Sequence, residues 1–166
     1  IKVDKSKSMI SYTGNHPFHS WEGKTSEIEI LTDCIPNSNR CNAIISAPII
    51  SFLSGNSNRD SNMFYYVDAF TYPEVKIIFS NINISQLTKS INPKLVDGLI
   101  DFHGVKIVKK IPIDLNFTEE SVLIKSNFAI QLESFNIELP KLLMIPIEDQ
   151  IKISAHIEGR LSINEK

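Results

Sequence analysis

The chain has 166 residues, 42% of them hydrophobic and 22% charged, enough to bury a full core and in the range of one domain spanning 1–166. A formal net charge of −2 withholds the basic surface that phosphate-backbone binding relies on, so no nucleic-acid partner is expected. No apolar run approaches the roughly 18 residues of a membrane span.

In chain order, residues 9–13 and 21–31 open as strands. Cys34 and Cys41 then flank Ile35-Pro36-Asn37-Ser38-Asn39-Arg40, a polar, turn-rich loop between strand-like 26–33 and 42–51. If those strands form a hairpin, the two sulfurs face each other at its end. A bridge closing so short a loop contributes about 2 to 3 kcal/mol on the chain-entropy estimate. The other reading is two unrelated thiols in a reducing compartment.

Residues 54–80 spell a short helix between two strands. Ser57 and Asp60 stand at capping-box spacing. Met63, Phe64, Val67 and Phe70 recur at i, i+1, i+4 and i+7, one face of a helix over 58–70. Pro73 disfavours helical geometry at Tyr72, and Val75, Ile77 and Phe79 follow with the two-residue period of a strand. Strands are expected next at 75–84, 94–103, 105–117, 121–132 and 150–163, with a weakly periodic second helix at 85–91. Residues 140–146 read as an extended loop, since each proline removes a backbone donor. About eight strands with one or two short helices make an all-β chain, an eight-stranded antiparallel barrel.

Alternation tells which side chains point inward. In 150–163 the apolar set is Ile151, Ile153, Ala155, Ile157, Leu161 and Ile163, while Lys152, Ser154, His156, Glu158, Arg160 and Ser162 take the other face. The same rule turns Ile111, Ile113 and Leu115 inward, then Val122, Ile124, Phe128, Ile130 and Leu132, and on the preceding strand Val96, Ile100 and Phe102. Such a set either fills a barrel solidly or lines a cavity, and eight-stranded barrels do both.

Several short motifs in order carry a likeness to a known family. Gly55-Asn56, Arg59-Asp60, Tyr72-Pro73, Ile77 and Phe79 match its pattern of Gly-Asn, Arg-Asp, short helix, Tyr/Phe-Pro and Ile-x-Phe-x-Ser, although the final Ser falls on Asn81. Phe18-His19-Ser20-Trp21-Glu22-Gly23 looks like its early His-x-x-x-Gly strand, Phe102-His103-Gly104-Val105 like its Gly-Val turn, and Phe135-Asn136-Ile137 with 149–153 like its closing elements. From 8 to 163 the chain resembles the YceI-like family. That resemblance implies a lipocalin-like barrel exported to the bacterial periplasm or secreted, holding a long-chain apolar ligand, an isoprenoid or lipid-like molecule. The first residue is Ile1 rather than Met, which fits a leading segment lost either by processing or by design of the expressed chain; the sequence does not say which, and a cleaved signal peptide suits the family. An oxidising compartment also favours the Cys34–Cys41 bridge.

Under that reading the ligand lies between the helix and the inward faces. Its expected contacts are Phe64, Tyr65, Val67, Ile77, Phe79, Ile100, Phe102, Ile113, Leu115, Phe128, Ile153 and Ala155. Tyr65 and Tyr66 offer hydroxyls for a polar end. Arg59 and Asp60 read as a cap plus a local ion pair, or as a grip on carboxylate or phosphate oxygens. No catalytic set emerges: Ser54-Gly55 lacks the nucleophile-elbow pattern, and Glu119-Glu120 is a hairpin turn. His16 and His19 sit in a Pro-containing turn ill-suited to a metal, while His103 and His156 read as solvated. No enzyme, cofactor or metal is expected, and a homodimer is left open. The competing account is a solid-cored stress or interaction protein acting through its outer surface.

Overall fold

Where apolar residues alternate with polar ones, a strand shows one dry face, and curling the sheet around those faces is one way to bury eight of them at once. A computed structural model, which describes residues 1–88 and 93–161, shows such a sheet. β1 (Lys2–Val3), β2 (Met9–His16), β3 (His19–Thr25), β4 (Glu29–Cys34) and β5 (Arg40–Pro48) precede helix α1 (Ser57–Tyr66). β6 (Glu74–Asn83), the short helix α2 (Ile84–Thr88), β7 (Lys94–Phe102), β8 (Val105–Phe117) and β9 (Ser121–Gln131) follow. A small hairpin of β10 (Lys141–Leu142) and β11 (Ile145–Pro146) leads into β12 (Gln150–Arg160).

Neighbouring strands are all antiparallel, in the order β3-β2-β12-β9-β8-β7-β6-β5-β4, with β1 added on β12. The two ends of that path, β3 and β4, are consecutive in sequence and separated only by Ser26, Glu27 and Ile28. The sheet is thus curled, with its two edge strands joined by one bent segment and no ladder between them among the described residues. The single strand expected over 21–31 is therefore two, which raises the count above eight. At the bend the Glu27 N–H donates to Thr25 Oγ1 (3.0 Å) and the Ile28 N–H to the Ser26 carbonyl (3.0 Å). Local acceptors take the donors that a continuous ladder would use. Lys24 of β3 and Leu53, in the segment that leads from β5 toward α1, exchange backbone hydrogen bonds of 2.9 and 3.0 Å.

Other boundaries also differ from expectation. The strand over 42–51 ends at Pro48 and passes into a 3₁₀ turn, Ile49–Ser51. Residues 140–146 are not a plain extended loop, because Lys141 pairs with Pro146 and Leu142 with Ile145. Of the second helix expected over 85–91, α2 covers the first part. Its remainder, and the run of the last strand to 163, lie outside the described residues.

The inward set packs tightly toward one end. Phe79, Ile100, Ile111, Ile113, Leu115, Val122, Ile124 and Ile157 are buried there, Ile111 and Ile157 at 1% exposure. Gly98 on β7 makes this closeness available, since a Cβ in its place would stand 2.7 Å from Ile111 Cδ1 and 3.0 Å from Phe79 Cε1. Cys34 and Cys41 pair in register at the end of the β4–β5 ladder and are bridged, with Cα atoms 4.0 Å apart.

Candidate functional site

The helix begins where a polar side chain takes up a free backbone donor. Asn56, not Ser57, is the N-cap, accepting from the Arg59 N–H at 3.0 Å. Asp60 is buried and reaches back to Ser54, accepting from its hydroxyl at 2.6 Å and its N–H at 3.0 Å. The Arg59–Asp60 ion pair read from the sequence is therefore replaced by an anchor for the preceding loop. Arg59 instead lies over Trp21, with its guanidinium carbon 5.9 Å from the ring centroid.

The helix ends earlier than Pro73 suggested. Asp68 turns left-handed (φ 48), its N–H donating to the Tyr65 carbonyl (3.1 Å) while the Ala69 N–H donates to that of Phe64 (2.9 Å). Those two bonds form a Schellman motif that closes the last turn. Phe70, assigned to the helical face, consequently falls beyond it and is 99% exposed.

One face of α1, carrying Arg59, Asn62, Met63 and Tyr66, covers with the C-cap residue Val67 a cavity of about 440 Å³. Ile49, Phe52, Val75, Phe102, Ile130, Ile151 and Ile153 supply apolar wall, and Pro140, Lys141 and Leu142 close a further side. Strand register puts this cavity opposite the packed end: on β12, Ile153 pairs with Phe128, whereas Ile157 pairs with Ile124.

Two aromatic rings complete the wall because two glycines make room. Tyr12 pairs across strands with Gly23, and Trp21 with Gly14. A Cβ at Gly23 would lie 2.2 Å from Tyr12 Cε1, and one at Gly14 2.5 Å from Trp21 Cζ2. The buried Tyr12 hydroxyl has no hydrogen-bond partner among the described residues. Burial, reinforced by the Asp60 carboxylate, pushes its phenol up to about 12. Since the ordinary value is 10.0, the unfolded phenol ionises first. The stability Tyr12 contributes is thus intact below pH 10 and is lost as the pH rises through about 12. Tyr12→Phe is expected to melt at or slightly above wild type at pH 7, by up to about 1 kcal/mol. It should also lack this share of the alkaline decline, as thermal melts at pH 7 and pH 11 would reveal.

His16 fixes the rim. The Phe18 N–H donates to its Nδ1 (3.2 Å), leaving the proton on Nε2 to reach the Ile145 carbonyl (3.1 Å). The β2–β3 turn is thereby tied to the β10–β11 hairpin, and both His16 nitrogens are engaged. His103, read as solvated, instead bonds through Nδ1 to the Phe135 carbonyl (2.8 Å) and packs beneath Tyr72. Among the described residues no three of His, Cys, Asp and Glu gather as they would around a metal.

Of the twelve contacts expected from the sequence, Val67, Phe102 and Ile153 line the cavity. Phe79, Ile100, Ile113 and Leu115 are buried in the packed core, with Phe64, Ile77, Phe128 and Ala155 half-buried against it. Tyr65 is 80% exposed, turned to solvent by its place on the outer face of α1. Tyr12 and Trp21 went unassigned to the wall, although Gly14 and Gly23 mark positions where a strand gives way to a neighbouring ring.

The sequence model of the YceI-like domain matches residues 1–159. No curated protein matches the chain in sequence. In structure the chain is similar to BcnA of Burkholderia cenocepacia, with a TM-score of 0.78 at 20% identity over 95% of this chain and 99% of that one. It is also similar to a polyisoprenoid binding domain from Saccharophagus degradans, with a TM-score of 0.77 at 12% identity over 96% and 97% of the two chains. The YCEI protein of Campylobacter jejuni aligns over 84% of each chain with a TM-score of 0.64 and 14% identity. At these identities the likeness speaks for the fold.

Proposed function

The chain belongs to the YceI-like family, and from that premise we propose that it binds and carries a long-chain apolar molecule, an isoprenoid or another lipid-like compound, in the cavity beneath α1. The observation that carries this reading is the cavity itself, whose volume of about 440 Å³ falls within the roughly 300–1,000 Å³ of small-molecule sites. The apolar chain would lie against Met63, Val67, Phe102, Ile151 and Ile153, gaining about 0.8 kcal/mol per buried CH₂ before ordering costs. Its polar end would stay at the rim, near Arg59, Asn62 and Lys141. The end of the interior around Ile111 and Ile157 is fully packed and lines none of the cavity, so a longer chain would emerge on the α1 side and girth would be selected more strictly than length. The same features favour a binding protein over an enzyme. The Cys34–Cys41 bridge supports an extracytoplasmic location, periplasmic or secreted.

Trp21 is the chain's one tryptophan and lines the cavity, so its fluorescence reports occupancy. Titration with geranylgeraniol or palmitic acid should give a saturable change, and a solvent extract of the purified protein should contain a long-chain compound by mass spectrometry. A flat titration together with an empty extract would overturn the reading.

A further inference from the structure

The β10–β11 hairpin carries its two most exposed side chains on a backbone that neither favours. Leu143 and Met144 are 75% and 89% exposed and sit at φ 51 and 68. A two-residue turn with both central residues left-handed suits Asn-Gly, and bulky side chains there are strained. Nothing about closing the hairpin calls for Leu and Met at these positions. Their protruding apolar surface is therefore the feature that needs an account.

Three further observations say what covers it. Residues 139–147 read Leu-Pro-Lys-Leu-Leu-Met-Ile-Pro-Ile, with Lys141 the one charge and the carboxylates of Glu138 and Glu148 outside the segment. Glu138, Glu148 and Asp149 flank the segment, so the charge balance does not favour an anionic surface; the apolar tip with Lys141 at its base suits the boundary between phospholipid headgroups and acyl chains. Phe18, 61% exposed, stands on the neighbouring turn that His16 ties to Ile145. Finally, Lys141 and Leu142 of the same hairpin line the cavity, so the tip and the cavity wall are continuous.

We propose that this hairpin is a membrane-docking wedge: Leu143 and Met144, with Phe18, insert into the surface of a phospholipid bilayer and hold the cavity mouth against it. An apolar ligand then passes between bilayer and cavity without crossing water. What is transferred rests on the proposed ligand-carrying function, whereas docking itself needs no ligand.

The test is flotation of the full chain with vesicles of phosphatidylglycerol and phosphatidylethanolamine, comparing wild type with Leu143→Asn/Met144→Gly. That variant places residues suited to the turn, so it should melt at or above wild type, and both altered positions lie outside the cavity wall. Wild type should float with the vesicles, the variant should partition at least tenfold less, and both should give the same Trp21 titration with geranylgeraniol. A wild-type chain that stays at the bottom, or a variant that floats equally well, would overturn the wedge. So would sedimentation showing a wild-type dimer that the variant dissolves without any vesicle binding, because the tip would then join two copies. Flotation that holds while the Trp21 titration stays flat leaves the wedge standing and removes only the ligand reading.

Discussion

Ile157→Asp is expected to leave no cooperative unfolding transition at 25 °C. Ile157 is 1% exposed and pairs across strands with Ile124, at the end of the interior where Ile111 and Val122 are also fully buried. A carboxylate there loses the isoleucine's burial, roughly 1.5 to 3 kcal/mol, and lies among the buried apolar side chains of that end. Burying it unpaired costs several kcal/mol more, or forces it to take up a proton. Together these rival the roughly 5 to 15 kcal/mol that holds a domain folded. Ser154→Asp lies on the wet face of the same strand and should stay within about 0.5 kcal/mol of wild type. Circular dichroism melts of the two variants beside wild type decide the matter, and indistinguishable melts would refute the packing described.

Four residues earlier on the same face, Ile153→Asp should behave differently. Ile153 is half-buried and lines the cavity, so a carboxylate there retains solvent through the mouth and the fold should survive. An apolar chain laid along it would face a charge it cannot solvate. A penalty of at least about 1.4 kcal/mol corresponds to at least tenfold weaker binding. The Trp21 titration with geranylgeraniol measures that loss, and unchanged affinity with an intact fold would place the ligand elsewhere.

The contrast between these two isoleucines shows what the sequence could reveal. Alternation put both on the dry face, and did so because a strand's side chains must alternate whatever lies inside. It carries no information about height along the barrel axis, which depends on how far neighbouring strands are staggered. That is why Phe79, Ile113 and Leu115 were grouped with Val67, Phe102 and Ile153, although the first three fill the packed end and the others the open one. Strand β8 was legible to the residue, from Val105 to Phe117, since a turn signal stands at each end. The bend at 26–28 was not, because the run Ser26-Glu27-Ile28-Glu29-Ile30 alternates straight through it. The hairpin over 141–146 escaped notice for the opposite reason: its turn holds Leu-Met where a sequence reader looks for Asn-Gly.

The place of β12 between β2 and β9 governs the order in which the chain can assemble. From β4 to β9 every strand pairs with its neighbour in sequence, so this meander can form as soon as its residues are available. β2 has no such partner on its outer side until the last strand arrives, since Tyr12 pairs with Ile153 and Ile10 with Ala155. A chain still lacking its final strand therefore shows two edges that β12 later covers, on β2 and on β9, each a template for another molecule. Insertion of β12 between β2 and β9 is the long-range step, and until it is taken the protein is most open to association with its own kind.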